Sequence, residues 1–293
     1  MTTTATTTAV ARPQVIRRRA RSRSGAALTV LTWFIALLFF APVAWMVLTS
    51  LHSEQDAATN PPSLGAPLSL AGYQEFFGAS SGASPWPYLI NSASASLGAT
   101  VIVLLLAIPA AYALSIKPVR KWSDVMFFFL STKMLPAIAG LLPVYLIAQG
   151  LGLLDNISLM VVLYTSMNLP IAVWMMRSFL AEIPIAILEA AVIDGAGLLT
   201  TFRRIIIPMS APGIAATSLI CFIFSWNEML FARVLTGVRS GTAPVFLTSF
   251  VTSQGLFLAK VCAAALAVSL PVIIAGFAAQ DKLVQGLSLG AVK

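Results

Sequence analysis

The chain has 293 residues, 58% of them hydrophobic and 10% charged, with a formal net charge of +8, and its mean hydropathy of +0.91 lies far above that of soluble domains. This composition excludes a soluble enzyme and requires an integral membrane protein, because apolar runs long enough to cross a hydrocarbon core of about 30 Å recur along the whole length. No β-barrel alternation is present, so the fold class is all-α, with backbone groups satisfied inside each helix.

The opening MTTTATTTAVARPQ has little to bury and reads as part of a disordered basic segment, 1–24, carrying Arg12, Arg17, Arg18, Arg19, Arg21 and Arg23. A first span is predicted from Ala26 to Thr49; it is too long for a secretory signal and no A-x-A site follows it, so it stays attached. An outer loop, Ser50 to Pro87, is polar and Pro-rich, with His52, Glu54, Asp56 and Glu75. The second span, Tyr88 to Ser115, leads through Lys117, Arg120 and Lys121 into the third, Val125 to Gln149.

Lys133 lies roughly 12 Å into that third span at about 1.5 Å per residue, and Pro136 and Pro143 after it predict a kink. An ammonium at such depth must face protein or water; it reads either as a donor lining a pathway or as a structural pairing. The fourth span, Ile157 to Leu180, carries Arg177 near its inner end, read as snorkelling. The fifth, Met209 to Ala232, brings Trp226, Asn227 and Glu228 together, and the sixth, Leu256 to Ala279, begins near Lys260. A Glu228–Lys260 contact near an outer gate is expected. Trp226 and Asn227 beside one another suit stacking on a solute and hydrogen bonding to it, or an interfacial anchor.

Six spans thus form one membrane domain over 25–280, without an internal repeat, followed by a tail, 281–293. Lys and Arg gather in the N-terminal segment, in the loops after the second and fourth spans and in the tail, which places both termini in the cytoplasm. Topology accounts for the positive charge, and no nucleic-acid partner is implied. Cys221 and Cys262 fall in apolar spans and read as small core residues. One histidine supports no metal site, no catalytic constellation is assembled, and no G-x-x-x-x-G-K-[ST] loop is present to hold ATP. If ATP drives this protein, another chain hydrolyses it.

The loop 182–208 between the fourth and fifth spans contains EAAVIDGAGLLTTFRRIIIP. Pro184 suits a helix start, and Ile187, Leu188, Ala191 and Val192 share a flank at helical spacing. Gly195 or Gly197 is expected to end this helix with φ above zero, and Thr200 or Thr201 to cap the next, which runs to Pro208. On the residues alone the result is either a wet surface helix or a cytoplasmic docking element.

Glu189, Ala190, Ala191, three residues, Gly195, nine residues, Ile205, one residue, an aliphatic Ile207 and Pro208 resemble the signature loop of binding-protein-dependent ABC importer permeases. SWNEMLFA in the fifth span and LVQGLSLGAVK at the end extend the likeness to the carbohydrate-uptake, maltose G-type permeases, and GTAPVFLTSF with AAQDKLVQGLSLGAVK resembles sorbitol and mannitol permeases. The resemblance implies that Glu189, Ala190, Ala191, Asp194, Gly195, Ile205 and Pro208 form a coupling helix and its turn. ATP and Mg would be bound by two partner ATPase subunits, with no cofactor in this chain. It further implies a heterodimer with a second permease, a substrate-binding protein facing the outer loops, a tail reaching between the ATPases, and a bacterial inner-membrane location. Lys133, Trp226, Asn227 and Glu228 become candidates for the pathway of a sugar or sugar alcohol. An ion-coupled secondary transporter is the alternative; it would need its own intramembrane carboxylates, and Glu228 is the acid set well inside a span.

Overall fold

A computed structural model describes residues 23–59, 65–78, 84–117, 119–252 and 255–291. Most of the segment expected to be disordered, 1–22, lies outside the described residues. The chain divides into two compact units, Met1–Met46 and Val47–Lys293. The described part of the first is the leading part of α1 (Arg23–Ser50). Thr29 and Thr32 there donate their hydroxyls to the carbonyls of Gly25 and Leu28, both at 2.8 Å, which satisfies these two polar groups on an apolar helix.

In the second unit, α2 (Glu54–Ala57) and α3 (Ala71–Phe77) precede the long α4 (Trp86–Ser115). Next come α5 (Trp122–Met134), α6 (Ala137–Gly150) and α7 (Ile157–Leu180). Then follow α8 (Ile185–Ile193), α9 (Leu198–Thr201), a π-helical turn (Phe202–Ile206), α10 (Ile207–Met209) and α11 (Ala211–Trp226). The chain closes with α12 (Leu230–Leu235), α13 (Ala243–Leu247), a 3₁₀ turn (Thr248–Phe250), a ribbon of β1 (Val251–Thr252) and β2 (Gly255–Leu256), and α14 (Leu258–Ala291). Among the described residues that antiparallel ribbon is the one departure from an all-helical fold.

The frame is α4 packed on α7, with α11 laid against α4 and α14 against α11. Ala95, Ala99, Val103, Ala107 and Ala111 recur every fourth residue on α4, and each is fully buried. Residues four apart lie on one helix face, and side chains this small let a neighbouring helix approach closely, which is how apolar helices gain dispersion energy where no water is displaced. Met160, Tyr164, Ala172, Val173 and Met176 of α7 fill the matching side and are equally hidden. A separate cluster joins Phe76 of α3 to Phe246, Phe250, Ala264 and Val268.

The segment between α1 and α4 is fixed to α14 by polar contacts. Glu54 accepts hydrogen bonds from the free N–H groups of Ala259 (3.3 Å) and Lys260 (2.8 Å) at the start of that helix, and the Lys260 ammonium pairs with Glu75 at 2.7 Å. The expected Glu228–Lys260 contact is therefore not made: α3 carries an acid to the same helix end and takes the lysine first.

Four helices are long and apolar enough to cross a membrane singly: Gly25–Ser50, Trp86–Ser115, Ile157–Leu180 and Leu258–Asp281. Two bent pairs bring the number to six if each is one span: α5 with α6, at 87°, and Leu198–Met209 with α11, at 76°. The expected kink in the third span is thus a full break. Leu135 is extended (φ −71°, ψ 129°), as a residue before proline prefers, and Pro136 starts α6 without an N–H to continue α5. The fifth span is shorter than expected: α11 ends at Trp226, and its 16 residues cover only about 24 Å. The last span and the backbone of the tail are one helix, so the boundary expected near residue 280 is not a helix end.

Gly213 of α11 lies so close to α7 that an added Cβ would enter the ring of Phe179. Gly213→Ala is expected to lower the melting temperature of the detergent-purified protein, the overpacking costing about 1–3 kcal/mol. Adding Phe179→Leu should recover part of that loss; equal melting temperatures for wild type and Gly213→Ala would contradict the packing.

Candidate functional site

The loop 182–208 folds as a short helix with a built stop. Pro184 (φ −60°, ψ 126°) precedes α8, and Asp194 is its C-cap. Gly195 then turns the chain with φ +75°, a left-handed conformation that costs a side-chain-bearing residue roughly 1–2 kcal/mol. Its N–H donates to Val192 (3.0 Å) while the N–H of Ala196 reaches back to Ala191 (2.9 Å), the paired bonds of a Schellman ending. Of the two glycines expected to end the helix, Gly195 does so. Gly197 (φ −70°) is the N-cap of α9, the place expected for Thr200 or Thr201; the Thr201 hydroxyl bonds back to Gly197 at 3.2 Å instead.

Leu188 and Ala191 are the buried residues of α8, and Leu188 enters the same apolar cluster as Ala107, Ala111, Met176 and Ile206. The rings of Phe202 and Tyr112 of α4 lie tilted against one another, centroids 4.8 Å apart, and Ile205 packs against that cluster. Glu189 and Ala190 are exposed on α8, and Pro208 is exposed in α10. The apolar side chains Val192 and Ile193 are 69% and 85% exposed. Glu189 lines a cavity of about 540 Å³ with Leu188, Val192 and Lys117, while Asp194, Ala190, Arg204 and Ile205 line another on the opposite flank. The chain thus brings all seven residues of the predicted loop site into one structure: α8 with its cap, and the π-helical turn and α10 that follow it.

A second constellation forms where helices break. Lys133 at the end of α5, Tyr164 and Asn168 of α7, and Ser225, Asn227 and Glu228 at the end of α11 line one cavity of about 490 Å³. Asn168 donates to Tyr164 O (2.8 Å) and to the Ser225 hydroxyl (3.0 Å), tying α7 to α11. Glu228 caps α12, its two carboxylate oxygens accepting from the N–H groups of Phe231 (2.9 Å) and Ala232 (3.1 Å). Trp226 stands apart from this cavity: it is 3% exposed and its indole N–H donates to Val268 of α14 at 3.1 Å. Tyr164 and Asn168 escaped sequence reasoning, although their i, i+4 spacing on an apolar helix was the available signal.

Two further polar contacts differ from expectation or were unforeseen. Arg177 does not snorkel: its Nε donates to Leu114 O at 3.2 Å and its guanidinium lies 3.9 Å from the ring centroid of Trp122, joining the ends of α4, α7 and α5. Asp155, before α7, holds the loop after α12. It accepts from the N–H groups of Gly237 (2.8 Å), Arg239 (3.1 Å) and Ser240 (2.8 Å) and from the Ser240 hydroxyl (2.8 Å). Asn91 grips the same loop through the carbonyls of Arg239 (2.9 Å) and Gly241 (3.0 Å), and Ser92 accepts from Ala243 N–H at 2.8 Å. Burial pushes the Asp155 carboxyl up, but the donors of Ser240, Arg239 and Gly237 outweigh it and bring it down to about 2.

Broken apolar helices thus surround a polar cavity, with a short helix packed on the core at one end. Residues 103–288, more than half of the chain, match the family of binding-protein-dependent transport system inner membrane components, and the chain belongs to that family. It is 37% identical over 267 residues to a probable ABC transporter permease protein, y4oR, of Sinorhizobium fredii, covering 91% of this chain and 95% of the relative. The diacetylchitobiose uptake system permease DasC of Streptomyces coelicolor is 30% identical over 266 residues, with 90% and 95% covered. The trehalose transport system permease SugB of Mycobacterium tuberculosis is 33% identical over 208 residues, with 70% and 76% covered. In fold, the chain is like the crystal structure of a bacterial ABC transporter involved in import of the acidic polysaccharide alginate, with a TM-score of 0.71 at 24% identity over 92% of this chain and 99% of that one.

The Asp155 clasp makes a pH-dependent prediction. A carboxyl depressed in the folded state stabilises above its ordinary pKa, and that contribution disappears as the pH falls through the folded value. Asp155→Asn should therefore melt at a lower temperature than wild type by a constant margin from pH 8 to about 5, and the margin should shrink from about pH 4 towards pH 2. A margin independent of pH throughout, measured by thermal unfolding in detergent, would contradict the role of its charge.

Proposed function

We propose that this chain is one half of the pore of an ATP-driven importer that carries a carbohydrate across a bacterial inner membrane, with its N-terminus in the cytoplasm. The observation that carries the reading is α8: an exposed apolar helix of fixed length, capped by Gly195 and rooted in the core through Leu188. Such a helix suits the cleft of an ATPase subunit. Glu189 makes a charge-assisted contact there and the exposed Ala190 permits close approach, whereas Ala191, expected to do the same, is buried within this chain; Asp194 and Gly195 end the helix, and Ile205 and Pro208 carry the return into α11. ATP and Mg belong to two copies of that ATPase. A second, related permease completes the pore as a heterodimer, and a substrate-binding protein meets the outer loops.

The carbohydrate assignment is supported by relatives whose names give diacetylchitobiose and trehalose as cargo. The narrower sugar-alcohol reading, sorbitol or mannitol, rests on GTAPVFLTSF and AAQDKLVQGLSLGAVK. Lys133, Asn227 and Glu228 would line the route, with Trp226 holding α11 to α14. The secondary-transporter alternative is weaker, because both oxygens of Glu228 already hold the start of α12.

Glu189→Lys and Gly195→Pro are expected to reduce solute-stimulated ATPase activity of the complete complex at least about tenfold, a coupling loss of 1–3 kcal/mol, while the protein still inserts. Proline cannot adopt the φ of Gly195. Unaltered stimulation in both variants would remove the coupling assignment. Cells tested with radiolabelled sorbitol, mannitol, trehalose and diacetylchitobiose should accumulate at least one of them in a manner abolished by ATP depletion. Uptake lost only when the ion gradient is collapsed would restore the alternative.

A further inference from the structure

The cavity between α5, α7 and α11 has a composition that says what it accepts. Its lining includes one ammonium, Lys133, and one carboxylate, Glu228, beside the neutral polar groups of Tyr164, Asn168, Ser225 and Asn227. Opposite unit charges within one small, partly desolvated space leave little net field for an ionic solute, whose attraction to one is offset by repulsion from the other. Uncharged cargo meets no such repulsion.

The hydrogen-bonding capacity of the lining is partly spent and partly left over. Asn168 and Asn227 use their amide N–H groups on protein acceptors, Tyr164 O and Ser225 Oγ for the first and Ile223 O (2.9 Å) for the second. Their amide oxygens accept from no other described residue. Lys133 follows Ser131 and Thr132, whose hydroxyls turn back onto the carbonyls of Phe128 (2.8 Å) and Phe129 (2.7 Å). Its own ammonium has no ion pair or hydrogen bond with any described residue. A donor with three N–H bonds and two amides fixed by their own N–H groups thus line one cavity, and an amide so fixed cannot swap its acceptor for a donor.

A second hollow borders Lys133. This cavity, of about 500 Å³ and bounded by the break at Leu135 and Pro136 and by Ser166, shares Lys133 and Met167 with the first. Lys133 therefore lines two neighbouring hollows, at the point where α5 stops and its last carbonyls lose their helical partners. Broken helix ends that present free backbone acceptors are how membrane transporters build solute sites.

We propose that this cavity holds part of the solute directly, and that the solute is an uncharged, hydroxyl-rich molecule: its hydroxyl oxygens accept from Lys133, and its hydroxyl protons go to the amide oxygens of Asn168 and Asn227. The proposal rests on the carbohydrate-importer reading and adds that this subunit, besides its partner permease, touches and selects the cargo. Met167 and Phe224, which also line the cavity, supply the apolar surface against which the carbon face of such a molecule lies.

The test uses the complete transporter, co-purified with its partner permease, ATPase and binding protein and reconstituted into lipid vesicles. Diazirine-bearing trehalose and diazirine-bearing sorbitol are the probes, each irradiated in the presence of the loaded binding protein and ATP with vanadate. The expected result is label on peptides of this chain containing residues 164–168 or 223–228, competed away by the unmodified sugar. Lys133→Met should reduce that labelling about tenfold, the loss expected of one hydrogen bond from a charged donor. Label confined to the partner permease, from a probe that the complex transports, overturns the direct contact. Equal labelling by a uronic-acid analogue overturns the preference for uncharged cargo. If no sugar is transported or stimulates ATP hydrolysis, the carbohydrate reading itself has failed, an outcome separate from either.

Discussion

The close approach of α4 and α7 is the contact on which the remainder of the structure depends. Ala95, Ala99, Val103, Ala107 and Ala111 present no bulk, so two long helices touch along most of their length where neither gains from expelling water. Everything functional is then referred to that pair. Leu188 carries α8 onto its lower half and Cys221 carries α11; Ala148 and Phe231 attach α6 and α12 to its other half. Substituting a large residue anywhere along the stripe would move several elements at once.

Against this rigid pair, the polar groups concentrate where helices are interrupted. An unbroken helix spends its backbone groups on itself; a break at Leu135–Pro136 or at Asn227–Met229 releases them. At the second of these breaks a nearby side chain meets the release. Glu228 supplies acceptors to the first N–H groups of α12, just as Glu54 does for α14. Glu54 and Glu228 thus serve this chain as acceptors for the starts of helices. The π-helical turn at Phe202–Ile206 belongs to the same pattern, since a wider turn leaves backbone groups out of register immediately before a proline.

Sequence reasoning reached those features whose cause is local. The apolar runs gave the helices, and Pro184 with Ile187, Leu188, Ala191 and Val192 at helical spacing gave α8, its stop narrowed to Gly195 or Gly197, because a left-handed φ and a short helix both follow from nearby residues. What escaped it depends on chain segments remote in sequence. Lys260 was matched with Glu228 by depth alone, whereas the outer loop returns Glu75 to it. Arg177 was read as reaching for water because nothing local announced the Trp122 ring. Asp155 gave little sign, since its partners are backbone N–H groups, which no pattern of side chains reveals, although an acid among turn residues after Gly152 was a hint. The alanine stripe was present in the letters but invisible to hydropathy, which counts alanine and leucine alike as apolar and so misses the difference in size.

The clasp of Asp155, Asn91 and Ser92 on residues 237–243 has a thermodynamic consequence. It fastens the loop between α12 and α13 to the same α4–α7 pair from which α8 is suspended at the other end. Two ligands that each favour one arrangement of a shared frame are bound by reciprocity: whatever factor the first applies to the affinity of the second, the second applies to the first. A ligand on α8 and a ligand on this loop, were each to favour one arrangement of that frame, would therefore report on a single equilibrium, and the strength of one could be measured by titrating the other.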